Sequence, residues 1–383
     1  MACVTAQTIL VHIGAGHHSP KLDAVYRSAI RRAIAAARRA LQAASHSASA
    51  HDASAAAQAV VAAIKSLEDD PALNAGTGSN LTWDGTIECD ASIMDGVCGS
   101  RFGSVGAAGG IRNPIEAAMG VMAFASRGVL PGGRVPPMLL TGPGAARFLT
   151  STLHRPDLTC DPASLITPSA QARHARHLSI VTSAAGAAAA ADQPHSFYDE
   201  PLNHDTVGAI VLDADGNVAA GVSSGGISLK YPGRVGEAAV YGAGVWAQNA
   251  GREAGDEGTL GVGVSCSGVG EAIVQSGLAR RVADIVLAQK EREEGEDEQI
   301  RRAVEVDAGQ GMGLCMLVHD PRAGIQGMRE VVVAHSTPSM GVGVWDERAR
   351  GSGTGKRKGD GVEYIMSRRG EGRASCVQRI GLM

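Results

Sequence analysis

The chain has 383 residues, 44% of them apolar and only 3% aromatic, with 51 glycines and a formal net charge of -4. That apolar share supports a substantial core and excludes whole-chain disorder, and the small negative charge gives no electrostatic footing to a nucleic-acid or membrane-surface partner. The seven cysteines (Cys3, Cys89, Cys98, Cys160, Cys266, Cys315 and Cys376) form no Cys-x-x-Cys pair, so neither a disulfide framework nor a zinc site is indicated. No apolar run approaches the roughly 18 residues needed to cross a bilayer, and the start of the chain has no signal-peptide pattern. A soluble intracellular protein, cytoplasmic or nuclear, is expected.

In chain order, Thr8 to Ile13 reads as a buried strand that ends in the turn Gly14-Ala15-Gly16. Leu22 to Ala43 has apolar residues at helical spacing against a row of arginines, and Ala53 to Leu67 is a second, alanine-rich helix with Asp52 as its predicted cap. Strands are predicted from Thr86 to Met94 and from Gly103 to Gly110, and a helix from Pro114 to Ala125 capped by Asn113. From 156 to 205 the composition turns to Pro, Ser, Ala and His, which predicts a flexible linker. It ends abruptly at the β-branched strand Val207 to Leu212, which forms a hairpin with Val218 to Ser223. Further strands are predicted at Ala238 to Gly242, Gly313 to His319 and Glu330 to Ala334, with a helix from Glu271 to Gln289. Strands flanked by two helical groups predict an α+β fold, an αββα sandwich, with residues 1–383 as a single domain.

Thr206 stands at the junction of linker and strand. A strand threonine is usually there to pack. A threonine that becomes a chain terminus, however, has an α-amine with a pKa near 8 beside its hydroxyl, so one residue supplies attacking oxygen and general base together. The linker would make scission of Asp205–Thr206 sterically feasible, and the strand would hold the new terminus rigid.

Four motifs in order make the pattern specific: Thr206-Val207-Gly208-Ala209, Ser223-Ser224-Gly225-Gly226, Pro232-Gly233-Arg234-Val235-Gly236 and Tyr241-Gly242-Ala243-Gly244. Together they resemble the signature of the asparaginase-like threonine hydrolases, which are N-terminal-nucleophile enzymes. Within that family the stretches Val11-His12-Ile13-Gly14-Ala15-Gly16, Leu67-Glu68-Asp69, Asn74 to Leu81 and Ile87 to Gly96 are similar to the threonine aspartase (taspase) branch.

The resemblance implies roles residue by residue. Thr206 matches the nucleophile and Ser224 a hydroxyl that orients it. Arg234 matches the arginine that binds a substrate carboxylate, a task suited to its planar fork of donors. Gly268 and Gly270 match a loop whose amides stabilise the oxyanion, and Ser267 a side-chain donor to the same oxygen. Lys21 matches a lysine that helps hold an aspartate side chain, though read alone it suits a solvated surface position equally well. Where the asparaginases have an aspartate for the substrate ammonium, this chain has Glu237, one methylene longer.

The implied activity is self-cleavage after Asp205, giving an α subunit (1–205) and a β subunit (206–383), followed by endoproteolysis of protein substrates after aspartate. The assembly would be an αβ heterodimer or its doubled form (αβ)2. Two other readings stay open: an isoaspartyl peptidase or asparaginase acting on small amides, and a catalytically silent binding scaffold. The mechanism calls for no metal or organic cofactor, although the loop from Asn74 to Asn80 leaves room for a structural cation. The tract Arg348 to Arg369, including Lys356-Arg357-Lys358, fits a solvated loop better than a nuclear-localisation patch.

Overall fold

The structure is a computed structural model and describes residues 5–44, 53–97, 99–183, 206–251, 259–288, 295–305, 311–322, 328–348, 361–370 and 373–382. The chain runs β1 (Thr8–Gly16), α1 (Asp23–Ala43), α2 (Ala55–Glu68), β2 (Cys89–Asp95), β3 (Arg101–Ala108), α3 (Pro114–Ala125), β4 (Leu139–Thr141), α4 (Gly142–Ser151) and α5 (Pro168–Thr182). It continues with β5 (Val207–Leu212), β6 (Val218–Ser224), β7 (Val245–Gln248), β8 (Gly261–Gly268), α6 (Gly270–Ser276), α7 (Leu278–Ala288) and α8 (Glu296–Val304). The last strands are β9 (Met312–Asp320), β10 (Met328–His335), β11 (Ser339–Asp346), β12 (Val362–Arg368) and β13 (Cys376–Leu382).

The result is a mixed arrangement of helices and two sheets. An eight-stranded sheet has the order β12-β11-β1-β5-β6-β2-β3-β4, and a five-stranded sheet the order β13-β10-β9-β8-β7. Side-chain alternation along a strand decides what each face meets. Along β1 and β5, Ile9, Val11, Val207, Ala209 and Val211 join one cluster with α1 and α2, whereas Leu10, Ile210 and Leu212 join another with strands of the smaller sheet. Both faces of the central strands are therefore buried, which explains their unbroken apolar runs.

Helix α1 buries Tyr26, Ala29, Ile30, Ala33, Ile34, Ala37 and Leu41 on one stripe. Full burial of Ile30 or Ile34 contributes about 1.5–3 kcal/mol each. Ser54 caps α2, its Oγ accepting from Ala57 N–H at 3.1 Å. The predicted cap Asp52 lies outside the described residues.

Several expectations are corrected. The first part of the predicted linker is structured: α5 occupies 168–182, with Pro168 in its first turn and Thr167 Oγ1 accepting from Ala170 N–H at 3.1 Å. Polar contacts tie this helix down in place of an apolar stripe, Arg173 to the carbonyl of Gly78 at 2.9 Å and His177 Nδ1 to Ser228 Oγ at 3.0 Å. The remainder, 184–205, lies outside the described residues. Asn113 stands at the N-cap position of α3 as expected, but its side chain makes no capping bond; its amide donates to Asp69 Oδ1 at 3.0 Å, and Glu68 Oε1 accepts from Ile115 N–H instead. The strand expected at 238–242 is a single 3-10 turn, Glu237–Ala239. The helix expected over 271–289 is broken at Gly277, whose φ of 57° closes α6. Part of the tract read as a C-terminal loop is strand β12, paired with β11, whereas 356–358 lies outside the described residues.

Candidate active site

Thr206 is the residue immediately before β5, 1% exposed, at the end of a strand flanked by β1 and β6. Two oxygens approach its hydroxyl. Glu237 Oε1 lies 2.8 Å from Oγ1, and Ser224 Oγ lies 3.1 Å away. One hydroxyl proton serves one acceptor at a time, and the Glu237 oxygen is the nearer. Ser224 Oγ also accepts from Gly226 N–H at 3.0 Å. That leaves the Ser224 proton free to turn toward Oγ1 when Thr206 donates to Glu237.

Gly208, two residues into β5, sits where a Cβ would run into Ser265 Oγ and His12 Nε2. Those two atoms are hydrogen-bonded at 2.7 Å beneath the strand. Burial lowers the His12 pKa from 6.5 to about 3, partly opposed by a hydrogen bond with the Thr206 backbone, so the ring is neutral.

The bend after Ser224 meets the loop Asn74 to Asn80. Gly225 N–H donates to the Asn74 carbonyl at 2.8 Å, and the amide groups of Asn74 and Asn80 each donate to the Gly226 carbonyl at 3.0 Å. Gly226 itself has φ +69°, a left-handed conformation in which a side chain would also press on Lys230 and Arg234. Among the described residues no three His, Cys, Asp or Glu side chains are grouped to hold a metal.

Glu237 is 3% exposed and begins the 3-10 turn. Burial raises its carboxyl above the ordinary range, while the Arg234 charge and the Thr206 hydroxyl pull it back toward ionisation. Arg234 lies alongside: the point where a Gly270 Cβ would stand is 2.6 Å from both Arg234 Nη2 and Glu237 Oε2. Arg234 is paired with Glu271, so its fork of donors is engaged in this state. Asp90, fully buried, accepts from Gly236 N–H at 2.8 Å and from Ala107 N–H at 2.7 Å, which fixes the segment leading to Glu237.

The structure thus brings Thr206, Ser224, Glu237, Arg234 and the backbone of Gly270 into one contiguous group. The other sequence-derived candidates are placed differently. Ser267 Oγ accepts from Ala15 N–H at 2.9 Å, tying β8 to the end of β1. Gly268, with φ +137°, packs against the backbone of Gly311 and Met312. Lys21 is exposed on a 3-10 turn, Pro20–Leu22, and among the described residues no hydrogen bond or ion pair joins it to Thr206. Asp205 lies outside the described residues.

Sequence reasoning missed three participants. Asp90 was visible within a motif but had no assigned task, and the Asn74–Asn80 loop was read only as room for a structural cation, not as the partner of Gly225 and Gly226. Lys230, 2% exposed with Nζ on the Glu88 carbonyl at 2.5 Å, had no signal beyond being a lysine six residues after Ser224.

Comparison with known proteins follows the same outline. The family model described as Asparaginase matches residues 5–337. The chain is 34% identical over 227 residues to an isoaspartyl peptidase of Salmonella typhimurium, covering 59% of this chain and 63% of that protein. It is 34% identical over 281 residues to a plant-type L-asparaginase of Pyrobaculum calidifontis, covering 73% and 79%. It is 40% identical over 223 residues to an isoaspartyl peptidase/L-asparaginase of Rattus norvegicus, covering 58% and 56%. The matched stretch therefore spans less than two thirds of the Salmonella and rat proteins.

Proposed function

This chain belongs to the asparaginase family of N-terminal-nucleophile hydrolases, and from that premise we propose that it cuts its own Asp205–Thr206 bond and then uses Thr206 to hydrolyse amides of an aspartyl unit. The observation that carries the proposal is the contact set of Thr206 Oγ1, 2.8 Å from Glu237 and 3.1 Å from Ser224, at the head of a buried strand. We read the two sheets and their helices as the αββα sandwich of this enzyme type, and the mature assembly as an αβ heterodimer or (αβ)2.

Once the α-amine of Thr206 is free it takes the hydroxyl proton as Oγ1 attacks the substrate carbonyl, the carbon–nitrogen bond breaks as ammonia or the amine leaves with that proton, and water hydrolyses the resulting ester. Arg234 would exchange Glu271 for the substrate carboxylate. In asparagine or an isoaspartyl peptide, two carbons separate the α-carboxylate from the attacked side-chain carbonyl. In a peptide cut after aspartate, two carbons separate the β-carboxylate from the attacked main-chain carbonyl. One arginine can therefore serve either substrate.

The names of the relatives put small aspartyl amides first. The Glu237 carboxylate beside Arg234 supports this, because a carboxylate and a guanidinium together suit an amino-acid head group. Endoproteolysis after aspartate is a second reading, favoured by separate observations. The motifs around Asn74 and Asp90 resemble the threonine aspartase branch, the chain itself presents Asp205 to Thr206, and Glu237 Oε1 is engaged by the Thr206 hydroxyl.

The test sets three substrates before the matured protein: asparagine, an isoaspartyl dipeptide and an aspartyl-glycyl peptide. Ammonia release and isoaspartyl cleavage without peptide scission support the first reading, and the reverse supports the second. An unbroken chain with full activity, or full activity in Thr206→Ala, overturns both.

A further inference from the structure

In the uncut chain the nitrogen of Thr206 is an amide and cannot accept a proton, so self-cleavage needs a base that the mature reaction does not. We propose that Glu237 is that base, a catalytic residue that takes the Thr206 hydroxyl proton during maturation. The inference rests on the self-cleavage reading above.

Geometry selects this carboxylate from its neighbours. Its Oε1 is within direct hydrogen-bond reach of Oγ1. Asp90 is already engaged, one oxygen on Ala107 N–H and the other on Gly236 N–H. His12 bonds Ser265 through Nε2, and burial lowers its pKa to about 3, which leaves the ring a weak base. Ser224 is a hydroxyl with no basicity to offer. The charged and titratable groups that face Glu237 are Arg234 on its own segment, Asp90 on β2, Cys266 on β8 and, through Arg234, Glu271 on α6. Burial, the larger influence, raises the Glu237 carboxyl above the ordinary range and so strengthens it as a base, while Arg234 pulls it back toward ionisation.

The step balances as follows. The Oγ1 proton passes to Glu237 Oε1 as Oγ1 bonds to the carbonyl carbon of Asp205. The tetrahedral oxyanion collapses, the bond from that carbon to the Thr206 nitrogen breaks, and the nitrogen receives the proton from Glu237 as it leaves. An ester now joins Asp205 to Thr206 Oγ1. Water hydrolyses it, giving the Asp205 carboxylate and restoring the threonine hydroxyl beside a free α-amine. From then on the amine can serve as base, and Glu237 becomes available to the substrate.

The experiment follows full-length chain made by cell-free synthesis as it converts to two fragments on a denaturing gel. Wild type, Thr206→Ala, Glu237→Gln, Glu237→Asp and Glu237→Ala are compared, with circular dichroism to confirm folding. Glu237→Gln and Glu237→Ala are expected to slow conversion by about 100-fold or more, the scale of a lost general base. Glu237→Asp should be intermediate. The wild-type rate should rise with pH on its acid limb, and Glu237→Gln should lose that limb. Added formate should speed conversion of Glu237→Ala, which a purely structural role would not allow. Conversion of folded Glu237→Gln at the wild-type rate and pH profile overturns the proposal while leaving self-cleavage intact. A wild type that stays whole overturns the self-cleavage reading, and this inference with it.

Discussion

Arg234 is gripped by Glu271 through two parallel hydrogen bonds, Nε to Oε1 at 2.9 Å and Nη2 to Oε2 at 2.8 Å. The guanidinium is 14% exposed and the carboxylate 55%, so Glu271 is the partner that can swing away into water. In this geometry it occupies the fork that the proposed substrate carboxylate needs. Glu271→Ala should therefore lower KM for carboxylate-bearing substrates several-fold with little change in kcat, whereas Arg234→Lys should raise KM about tenfold or more by removing the bidentate fork. Steady-state kinetics on the matured protein separates these outcomes. A raised KM in Glu271→Ala would mean that the glutamate helps hold the arginine in place.

Ser224 both accepts from Gly226 N–H and touches the Thr206 hydroxyl. Ser224→Ala leaves that buried amide without its acceptor, at a cost of about 1–3 kcal/mol. It should also slow turnover about tenfold by loosening the nucleophile. A thermal melt reads the first effect and kcat the second. Ser224→Thr, which keeps the hydroxyl, should recover most of the rate.

Glu68 ends α2 with Oε1 accepting from Ser223 Oγ at 2.6 Å and from Ile115 N–H at 3.0 Å. Burial pushes its carboxyl from 4.5 up to about 8, only partly opposed by these hydrogen bonds. The folded state thus holds this proton more tightly than the unfolded chain. The stability it contributes is fully present below about pH 4.5 and is lost as pH rises through about 8. Urea unfolding between pH 5 and 9 should show wild-type stability declining across that window. Glu68→Gln, neutral at every pH, should flatten the decline and be the more stable protein at pH 9.

Gly208 has no room for a methyl group between Ser265 and His12. Gly208→Ala should force β5 or the His12 ring to move, costing about 1–3 kcal/mol as an overpacked core site. Since Thr206 is two residues away, maturation should slow as well. A variant with wild-type melting temperature and wild-type maturation would show that the strand has slack here.

Thr206, Ser224 and Arg234 could be singled out because each sits in a short motif with glycines, which permit turns that other residues resist, as Gly226 does with φ +69°. The contact of Glu237 with Thr206 was not legible. It depends on a 3-10 turn, where a strand was expected, and on Asp90 taking the Gly236 amide from a distant strand. Central strands such as β5 announced themselves by continuous apolar residues. Helix α5 did not, because Arg173, His174 and His177 hold it through polar contacts that no apolar periodicity reports. Strands β12 and β13 lie at the edges of their sheets and are only partly buried, so their composition resembles that of a loop.

The order β12-β11-β1-β5-β6-β2-β3-β4 shuffles the strands that precede residue 206 among those that follow it. β1 lies between β11 and β5, and β2 borders β6. Scission ahead of β5 would thus yield two polypeptides woven through one sheet, unable to part without tearing every backbone ladder between them. Such a molecule would migrate as one species under native conditions and as two under denaturing ones, and neither half could be traded for a fresh copy. Supplied as separately synthesised pieces, the halves would have to fold around each other from the outset.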